Sequence, residues 1–326
     1  MRSSLAQPSG ELRALEPVQQ FLGASRTAAG IFAQDRWALP GLLSLTAGVR
    51  GDQVHSDEGR LPEAPREGDS RALSGNLGLA VHLGPDTRLV LNGGRAFRAP
   101  DLEEQYLITT TCKGLTCGDP ELSPERAWSV DAGLKGRPGR WELEAYAHSA
   151  WVEDLITGRT GQSTVDERCE YTYTNTASAR IVGAEGRAAW RLPLRGERLV
   201  LSPRVTASWV RGEDLIHRER LPQIPPLTSR AALRLSGRGG GVLDSFVQLD
   251  TTLAAAQSRP ALEEVASEAY ALLNLGGGLT LDGEGGLRVL HLSLRAENLL
   301  DQGWKSHLSG TPGMGRALRL GLTLES

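Results

Sequence analysis

The residues with the most scope for chemistry lie in one long polar stretch between residues 95 and 125. It opens with Arg95, Phe97, Arg98, Ala99, Pro100 and Asp101, and it closes with Asp119, Pro120, Leu122, Pro124 and Glu125. Asp101, Glu103 and Glu104 would suit a cation-bearing ligand, although a run of charges is usually a solvated loop. No Gly-x-Ser-x-Gly elbow occurs, and the serines and histidines form no recognisable triad. The stretch therefore predicts binding, and we do not expect an enzyme.

The three cysteines allow either a disulfide or a metal site. Cys112 and Cys117 lie close together in a polar loop, where a disulfide can form if the loop meets an oxidising exterior. A zinc site would need two further Cys or His ligands at set spacing, and none lies nearby. A disulfide between Cys112 and Cys117 is therefore the preferred interpretation. Cys169 is expected to be unpaired, and neither a metal nor a cofactor is expected.

The bulk composition restricts the partners. The formal net charge is −3 and the only lysines are Lys113, Lys135 and Lys305, so a nucleic-acid partner has no support. No apolar run approaches the roughly 18 residues of a membrane helix, and the first residues lack the apolar core of a secretory signal. On these grounds alone the chain would stay inside the cell, but the pattern of its strands argues otherwise.

The elements that must position the polar stretch are strands. Apolar residues alternate with other residues along most of the chain, as Leu318, Leu320 and Leu322 do near its end. Short turns, such as Pro40-Gly41 and Pro138-Gly139, alternate in strict order with long polar loops. These loops lie at about 51–71, 98–124, 157–178, 212–226, 258–268 and 299–314. Short turns on one side and long loops on the other are typical of an antiparallel barrel in an outer membrane.

The two faces of the predicted strands differ in chemistry. One face is apolar, and most charges fall on the other, including Glu185, Arg187, Arg295, Glu297 and Arg319. An arginine on the lipid face near the midplane costs about 2–4 kcal/mol, so these charges are expected to face the lumen. Tryptophans near the predicted strand ends suit the headgroup region, namely Trp37, Trp128, Trp141, Trp151, Trp190 and Trp209. A soluble β-protein with a tryptophan-rich core is the alternative.

The number of strands is informative. The segments number about thirteen and begin with Ala28 to Leu39, whereas single-chain bacterial barrels use even numbers with both ends on the periplasmic side. Closure is required because an unpaired backbone group in hydrocarbon costs several kcal/mol. The first strand begins on the long-loop side. We therefore expect an N-terminally truncated barrel over residues 28–326, preceded by a loop remnant or disordered segment over residues 1–27.

The polar stretch resembles the TonB-dependent receptors of Gram-negative outer membranes. Phe97-Arg98-Ala99-Pro100 is similar to their F-R-A-P segment, and residues 119–125 are similar to their N-P-x-L-x-P-E segment, with Asp119 in place of Asn. Further similar segments follow in family order at residues 30–52, 152–156, 173–175, 182–185, 221–226 and 294–301. The resemblance thus covers roughly residues 28–326.

The resemblance implies an all-β fold, an antiparallel transmembrane β-barrel with about 13 strands of an expected 22 in this chain and the plug domain absent. It implies a receptor in the cell outer membrane, surrounded by outer-membrane lipid, that releases a scarce nutrient inward when the TonB complex pulls on a short N-terminal box. Under this hypothesis the predicted lumen charges contact the plug or solvate the wall. The chain alone is expected to be inactive in energised transport.

The cargo stays open. Ferric siderophores are the commonest cargo of the family, so an iron chelate is the first expectation. Haem receptors of the family carry a histidine ligand between the two motifs, and no histidine lies between Asp101 and Asp119. His55, His217 and His307 lie in or near other loops. A haem or cobalamin receptor of the same family and a passive outer-membrane porin are the alternatives.

Overall fold

A computed structural model describes residues 4–6, 12–14, 23–59, 67–160, 169–195, 198–239, 242–262, 264–282 and 289–325. The alternating sequence forms strands because successive side chains of a strand point to opposite faces. The strands are β1 (Ser4–Ala6), β2 (Leu12–Ala14), β3 (Ser25–Leu39), β4 (Leu43–Asp57), β5 (Glu67–Gly84), β6 (Thr87–Arg98), β7 (Ile108–Thr111), β8 (Gly114–Cys117), β9 (Glu125–Gly136), β10 (Trp141–Thr160), β11 (Tyr171–Trp190), β12 (Leu192–Leu194), β13 (Leu199–Asp214), β14 (Thr228–Gly239), β15 (Val242–Ala254), β16 (Tyr270–Asp282), β17 (Val289–Glu297) and β18 (Ala317–Glu325). A short helix, α1 (Leu102–Tyr106), follows β6.

Thirteen strands form one antiparallel meander in the order β3-β4-β5-β6-β9-β10-β11-β13-β14-β15-β16-β17-β18. The predicted number of barrel strands and their antiparallel arrangement are confirmed. Within the described ranges β3 and β18 each pair on one side, so the sheet is open. β12 pairs with β13, and the hairpin β7–β8 pairs in parallel with the start of β11.

Several strands run further than the alternating pattern predicts. β3 begins at Ser25 rather than Ala28, and β10 and β11 each contain 20 residues. Polar pairs such as Thr157 and Thr174 continue the ladder because backbone hydrogen bonds need no apolar face beyond the membrane. Of the predicted segment 1–27, the described residues contain the β1–β2 ladder and the start of β3. The remainder of that prediction lies outside the described residues.

The outer face of the sheet carries an apolar band of the thickness of a membrane. Outward tryptophans Trp141 and Trp151 on β10 are both exposed and ten residues apart. Ten residues at about 3.3 Å each, on a strand tilted by about 40°, span about 25 Å of thickness. An outer-membrane barrel has an apolar band of about this height between two aromatic girdles. Trp141 stacks on Trp190 at the short-turn edge, with their ring centroids 5.1 Å apart, and Trp151 pairs with Trp128 at the long-loop edge.

The inner face is polar and joins neighbouring strands through charged pairs. Asn92 donates a hydrogen bond to Asp131 over 2.6 Å, and the Lys135 ammonium lies 2.7 Å from the Glu144 carboxylate. Such cross-strand pairs stabilise the sheet on the side where lipid does not exclude them. As for helices, none among the described residues is long and apolar enough to cross a membrane.

Candidate functional site

The long loop between β6 and β9 is built around α1, which the sequence analysis missed. Asp101 is the N-cap of this helix: its Oδ1 accepts a hydrogen bond from the Glu104 N–H at 2.8 Å, and Glu104 Oε2 accepts from the Asp101 N–H at 2.9 Å. This reciprocal arrangement is a capping box. The sequence signal of this capping box was present: Asp101 directly follows Pro100, and Glu104 comes three residues after Asp101. It would have located the helix.

Arg98 joins the two motifs of the polar stretch. Its guanidinium donates two hydrogen bonds to Glu125, both at 2.7 Å, and two to Glu104, at 2.8 and 2.9 Å. The hydrogen bonds to Glu125 are the main cause that raises the pKa of Arg98, although burial opposes them. Glu125 Oε1 also accepts the Ile156 N–H at 2.8 Å, which connects the cluster to β10. We call Arg98, Glu104 and Glu125 the arginine clamp.

The helix packs tightly against the second motif. Ala99, Pro100, Tyr106, Leu107 and Leu122 are buried in the base of the loop. The Gly118 N–H donates to the Leu107 carbonyl at 2.6 Å, and a Cβ at Gly118 would lie 2.5 Å from the backbone carbon of Gln105. Only glycine fits at this close approach.

Asp119 has two roles at the base of the loop. Its N–H donates to the Glu104 carbonyl at 2.8 Å, and its side chain accepts the Glu121 N–H at 2.9 Å. The second contact is an Asx-type turn, which an asparagine makes equally well, so the Asp in place of the family's Asn preserves the turn. Asn175 on β11 then holds Ser123 by two hydrogen bonds, at 2.9 and 3.0 Å.

The predicted disulfide is wrong. Cys117 is bonded to Cys169, and Cys112 is a free, exposed cysteine. The reason is tertiary: β8 pairs in parallel with the start of β11, with Thr116 opposite Tyr171 and Cys117 opposite Thr172. This pairing places Cys169 beside Cys117, whereas Cys112 lies at the turn of the β7–β8 hairpin. The bond therefore fixes the hairpin to β11.

Two tyrosines of β11 and their charged partners lie beside the hairpin. The Tyr173 hydroxyl donates to Glu103 at 3.1 Å, and burial, followed by the charge of Glu103, raises the pKa of Tyr173. The Lys113 ammonium donates to the Tyr171 hydroxyl at 3.0 Å and lies 4.2 Å from the centre of its ring. The acids that the sequence suggested for a cationic ligand, Asp101, Glu103 and Glu104, thus accept hydrogen bonds from the loop and from the neighbouring strands.

The loop histidines have local partners. His217 lies 2.8 Å from the buried Asp214, which also contacts Arg159 at 3.2 Å. His307 is almost fully buried, 3.3 Å from the Ser267 hydroxyl and 3.6 Å from Glu264. Across the described part of the chain, no cluster of three or more His, Cys, Asp or Glu residues could hold a metal ion.

The five predicted lumen residues lie on the inner face. Arg295 donates to both oxygens of Asp250, at 3.0 and 2.9 Å, and to Glu297 at 3.2 Å. Arg319 also contacts Glu297, at 2.9 Å, and Arg187 contacts Glu142 at 3.3 Å. Glu185 lines a polar concavity of the wall together with Glu144, Tyr146, Arg187, Ser208, Arg230 and Tyr270. Contact of these charges with a plug stays a prediction.

Two residues of the first motif lie apart from the loop cluster. Arg95 and Phe97 alternate with the inward Arg98 along β6, so their side chains are directed to the outer face. The Arg95 guanidinium lies 5.6 Å from the ring of Trp128 and donates to the Leu73 carbonyl at 2.7 Å. The remaining motif residues are at the base of the loop, where Leu122 is buried and Pro120 and Pro124 are partly exposed.

One protein-family model matches most of the chain. Residues 3–299 match the family model described as TonB dependent receptor-like, beta-barrel. A comparison with curated proteins found no match.

Solved structures show the same fold. The copper transporter OprC has a TM-score of 0.74 and 23% identity, over 91% of this chain and 47% of that one. The FrpB iron transporter (F5-1 variant) of Neisseria meningitidis has a TM-score of 0.68 and 17% identity, over 92% and 46%. A double mutant of the Serratia marcescens hemophore receptor HasR, in complex with its hemophore HasA and heme, has a TM-score of 0.70 and 16% identity, over 95% and 53%. The chain spans about half the length of these structures.

Proposed function

Because this chain belongs to the TonB-dependent receptor-like β-barrel family, we propose that it forms the wall and the extracellular loops of an outer-membrane receptor for a scarce nutrient. The observation that carries the proposal is the arginine clamp. It fixes the root of a long loop at the end of the barrel where ligands arrive. A receptor needs such a preorganised loop base, since a loop that is already ordered loses less entropy on binding a ligand.

A ferric siderophore is the cargo that we propose. OprC and FrpB are named as transporters of copper and of iron, and HasR as a hemophore receptor bound to heme. Tyr171, Tyr173 and Lys113 lie together at the β7–β8 hairpin. Aromatic and cationic groups of this kind suit a bulky anionic chelate of iron. No histidine lies between the two motifs to serve as a haem ligand, so haem and cobalamin rank below an iron chelate.

The partners follow from the same proposal. Energised release would require the TonB complex, acting through a plug and a TonB box that pair with this barrel. The inner-face charges Glu185, Arg187, Arg295, Glu297 and Arg319 are the surface that would contact the plug. The receptor would reside in the outer membrane of a Gram-negative cell, because the apolar band matches the thickness of that membrane.

An uptake assay tests the proposal. Iron-limited cells that produce the protein from its own gene receive radiolabelled iron as a ferric siderophore, with and without a protonophore that removes the energy supply of TonB. We expect uptake that stops when the protonophore is added. Uptake that continues at the same rate would overturn the proposal in favour of a passive porin. Competition by haem or cobalamin, with no competition by ferric siderophores, would overturn the proposed cargo.

A variant pair connects the assay to the loop. Arg98→Met breaks the arginine clamp, whereas Arg126→Gln removes an exposed arginine on the adjacent strand that contacts Asp154 at 3.6 Å. We expect Arg98→Met to reduce siderophore affinity while Arg126→Gln preserves it. Equal affinities for the two variants, at equal amounts in the outer membrane, would contradict a role for the clamp in binding.

A further inference from the structure

A row of arginines and tryptophans crosses the outer face of the sheet near the long loops. Arg95 pairs with Trp128 across β6 and β9, Trp128 with Trp151 across β9 and β10, and Trp151 with Arg180 across β10 and β11. We call these four residues the arginine–tryptophan row. Trp128 and Trp151 are exposed and share the face of the apolar band. The row therefore lies on the surface that lipid covers, and the uptake of a nutrient does not explain it.

The position of the row corresponds to the outer lipid headgroups. Trp151 lies about 25 Å in height above Trp141, at the long-loop edge of the apolar band. Strands are spaced about 4.8 Å apart and tilted by about 40°, so a row that crosses three spacings climbs by about 9 Å. Because Trp151 lies inside the row, with Arg180 on one side and Trp128 and Arg95 on the other, the row crosses the boundary between the acyl chains and the headgroups.

The arginines of the row have donors that no acid occupies. Arg95 and Arg180 lie 5.6 and 5.7 Å from the rings of Trp128 and Trp151. In the described ranges no carboxylate forms an ion pair with either guanidinium. Arg95 donates one hydrogen bond to the Leu73 carbonyl. Each cation is therefore held beside an indole ring with hydrogen-bond donors available on its free side.

The charges around the row have an excess of arginine. The nearest acid is Glu213, which lies opposite Arg180 across β11 and β13 and is attracted by its charge. The hydrogen bond of Glu213 goes to Arg211, and its carboxylate lies 3.9 Å from Arg220. Glu153 and Asp154 stand beside Arg126. The surface thus carries five arginines, namely Arg95, Arg126, Arg180, Arg211 and Arg220, against these three acids. Its charge is complementary to an anionic headgroup.

We propose that the arginine–tryptophan row binds the phosphate groups of an acylated, phosphate-bearing lipid in the outer leaflet. Guanidinium donors match phosphate oxygens in a bidentate geometry, and the indole rings pack at the boundary between the acyl chains and the headgroup. The phosphates would thus accept hydrogen bonds from two guanidinium groups that form no ion pair with a carboxylate in the described ranges. The bound lipid would anchor the barrel at the level of the ligand-binding loops.

Native mass spectrometry of the full chain in detergent tests this site. The probes are bis-phosphorylated lipid A, the same lipid after removal of its phosphates, and inorganic phosphate. We expect the phosphorylated lipid to bind about ten-fold more tightly than the dephosphorylated form, since charge-assisted contacts to phosphate are the stronger ones. Equal binding of the two lipids would overturn the proposal. Binding of inorganic phosphate as tight as that of the phosphorylated lipid would overturn a lipid site.

Two variants locate the binding. The double variant Arg95→Gln with Arg180→Gln should lose about ten-fold in affinity for the phosphorylated lipid and nothing for the dephosphorylated one. The matched control, Arg140→Gln with Arg191→Gln, removes the same number of charges from two exposed arginines just outside β10 and β11 at the short-turn edge, and it should bind as the wild type does. Equal losses in the control and the double variant would show that the total charge, not the row, sets the affinity. The preference of the wild-type chain tests the proposal even if a variant fails to fold.

Discussion

Breaking the arginine clamp by Arg98→Met should loosen α1 without unfolding the barrel. The substitution removes four hydrogen bonds and leaves two carboxylates with little access to water, because the Glu104 and Glu125 side chains are only 13% and 12% exposed. Breaking a fully buried ion pair costs about 3–5 kcal/mol. Arg98 itself is 43% exposed, so solvent screens part of the interaction.

Some contacts of the carboxylates survive the substitution. Glu104 still accepts the Asp101 N–H, and Glu125 still accepts the Ile156 N–H. With screening included, we expect a loss of about 2 kcal/mol, confined to the loop. Since each step of about 1.4 kcal/mol is a factor of ten, the amides of α1 should exchange with solvent deuterium about 30-fold faster.

Hydrogen exchange followed by mass spectrometry measures this effect in the peptide that contains residues 101–107. Arg126→Gln is the control, because its exposed ion pair is worth little, and exchange in the same peptide should change by less than about three-fold. Peptides of β13 to β18 should exchange as in the wild type. An unchanged rate in α1 after Arg98→Met, or faster exchange throughout the barrel, would refute the assigned role of the clamp.

Three further predictions concern the disulfide, an acidic loop contact and the two faces of the sheet. Cys169→Ser should speed tryptic cleavage after Lys113, between β7 and β8, because the hairpin is then no longer cross-linked to β11. The chain entropy of the lost disulfide corresponds to up to about 4 kcal/mol. Cys112→Ser should leave cleavage unchanged and abolish thiol labelling of the oxidised chain, so labelling that persists would contradict the assigned pairing. Burial would raise the pKa of Asp214, but hydrogen bonds from the His217 side chain and from two backbone N–H groups outweigh it and lower the pKa below 3.8. The contact between Asp214 and His217 therefore stabilises the fold at pH values above 3.8. This stability is lost as the pH falls through the lowered pKa of Asp214. Urea titrations from pH about 5 to about 2 should therefore show a smaller acid-induced loss in Asp214→Asn, and an equal loss would contradict this. Ala147→Arg, outward near the middle of the band, should cost about 2–4 kcal/mol of unfolding free energy in lipid vesicles, whereas His148→Arg, one residue on and inward, should cost much less. Similar costs would mean that the faces are wrongly assigned.

The sequence predicted the strand pattern well because barrel strands follow a local rule. Alternation with a period of two, ordered loop lengths and outward tryptophans each depend on neighbouring residues, and they located the thirteen-stranded meander. The capping box before α1 was equally local and was overlooked. Strand ends were less predictable, since above the apolar band the ladder of β10 and β11 continues through polar residues that carry no alternating signal.

By itself, the sequence determined the class of fold and the two motifs of the polar stretch, because both depend on the types of residues that are close together in the chain. The partners of those residues were decided by the tertiary structure alone. Cys117 bonds to Cys169 instead of the nearer Cys112 because β8 joins β11 in register. Arg98 reaches Glu125 because β6 and β9, separated by the whole loop in the chain, are neighbours in the sheet. Contacts between residues distant in sequence depend on strand pairing, and the pairing is fixed only when the barrel wall assembles.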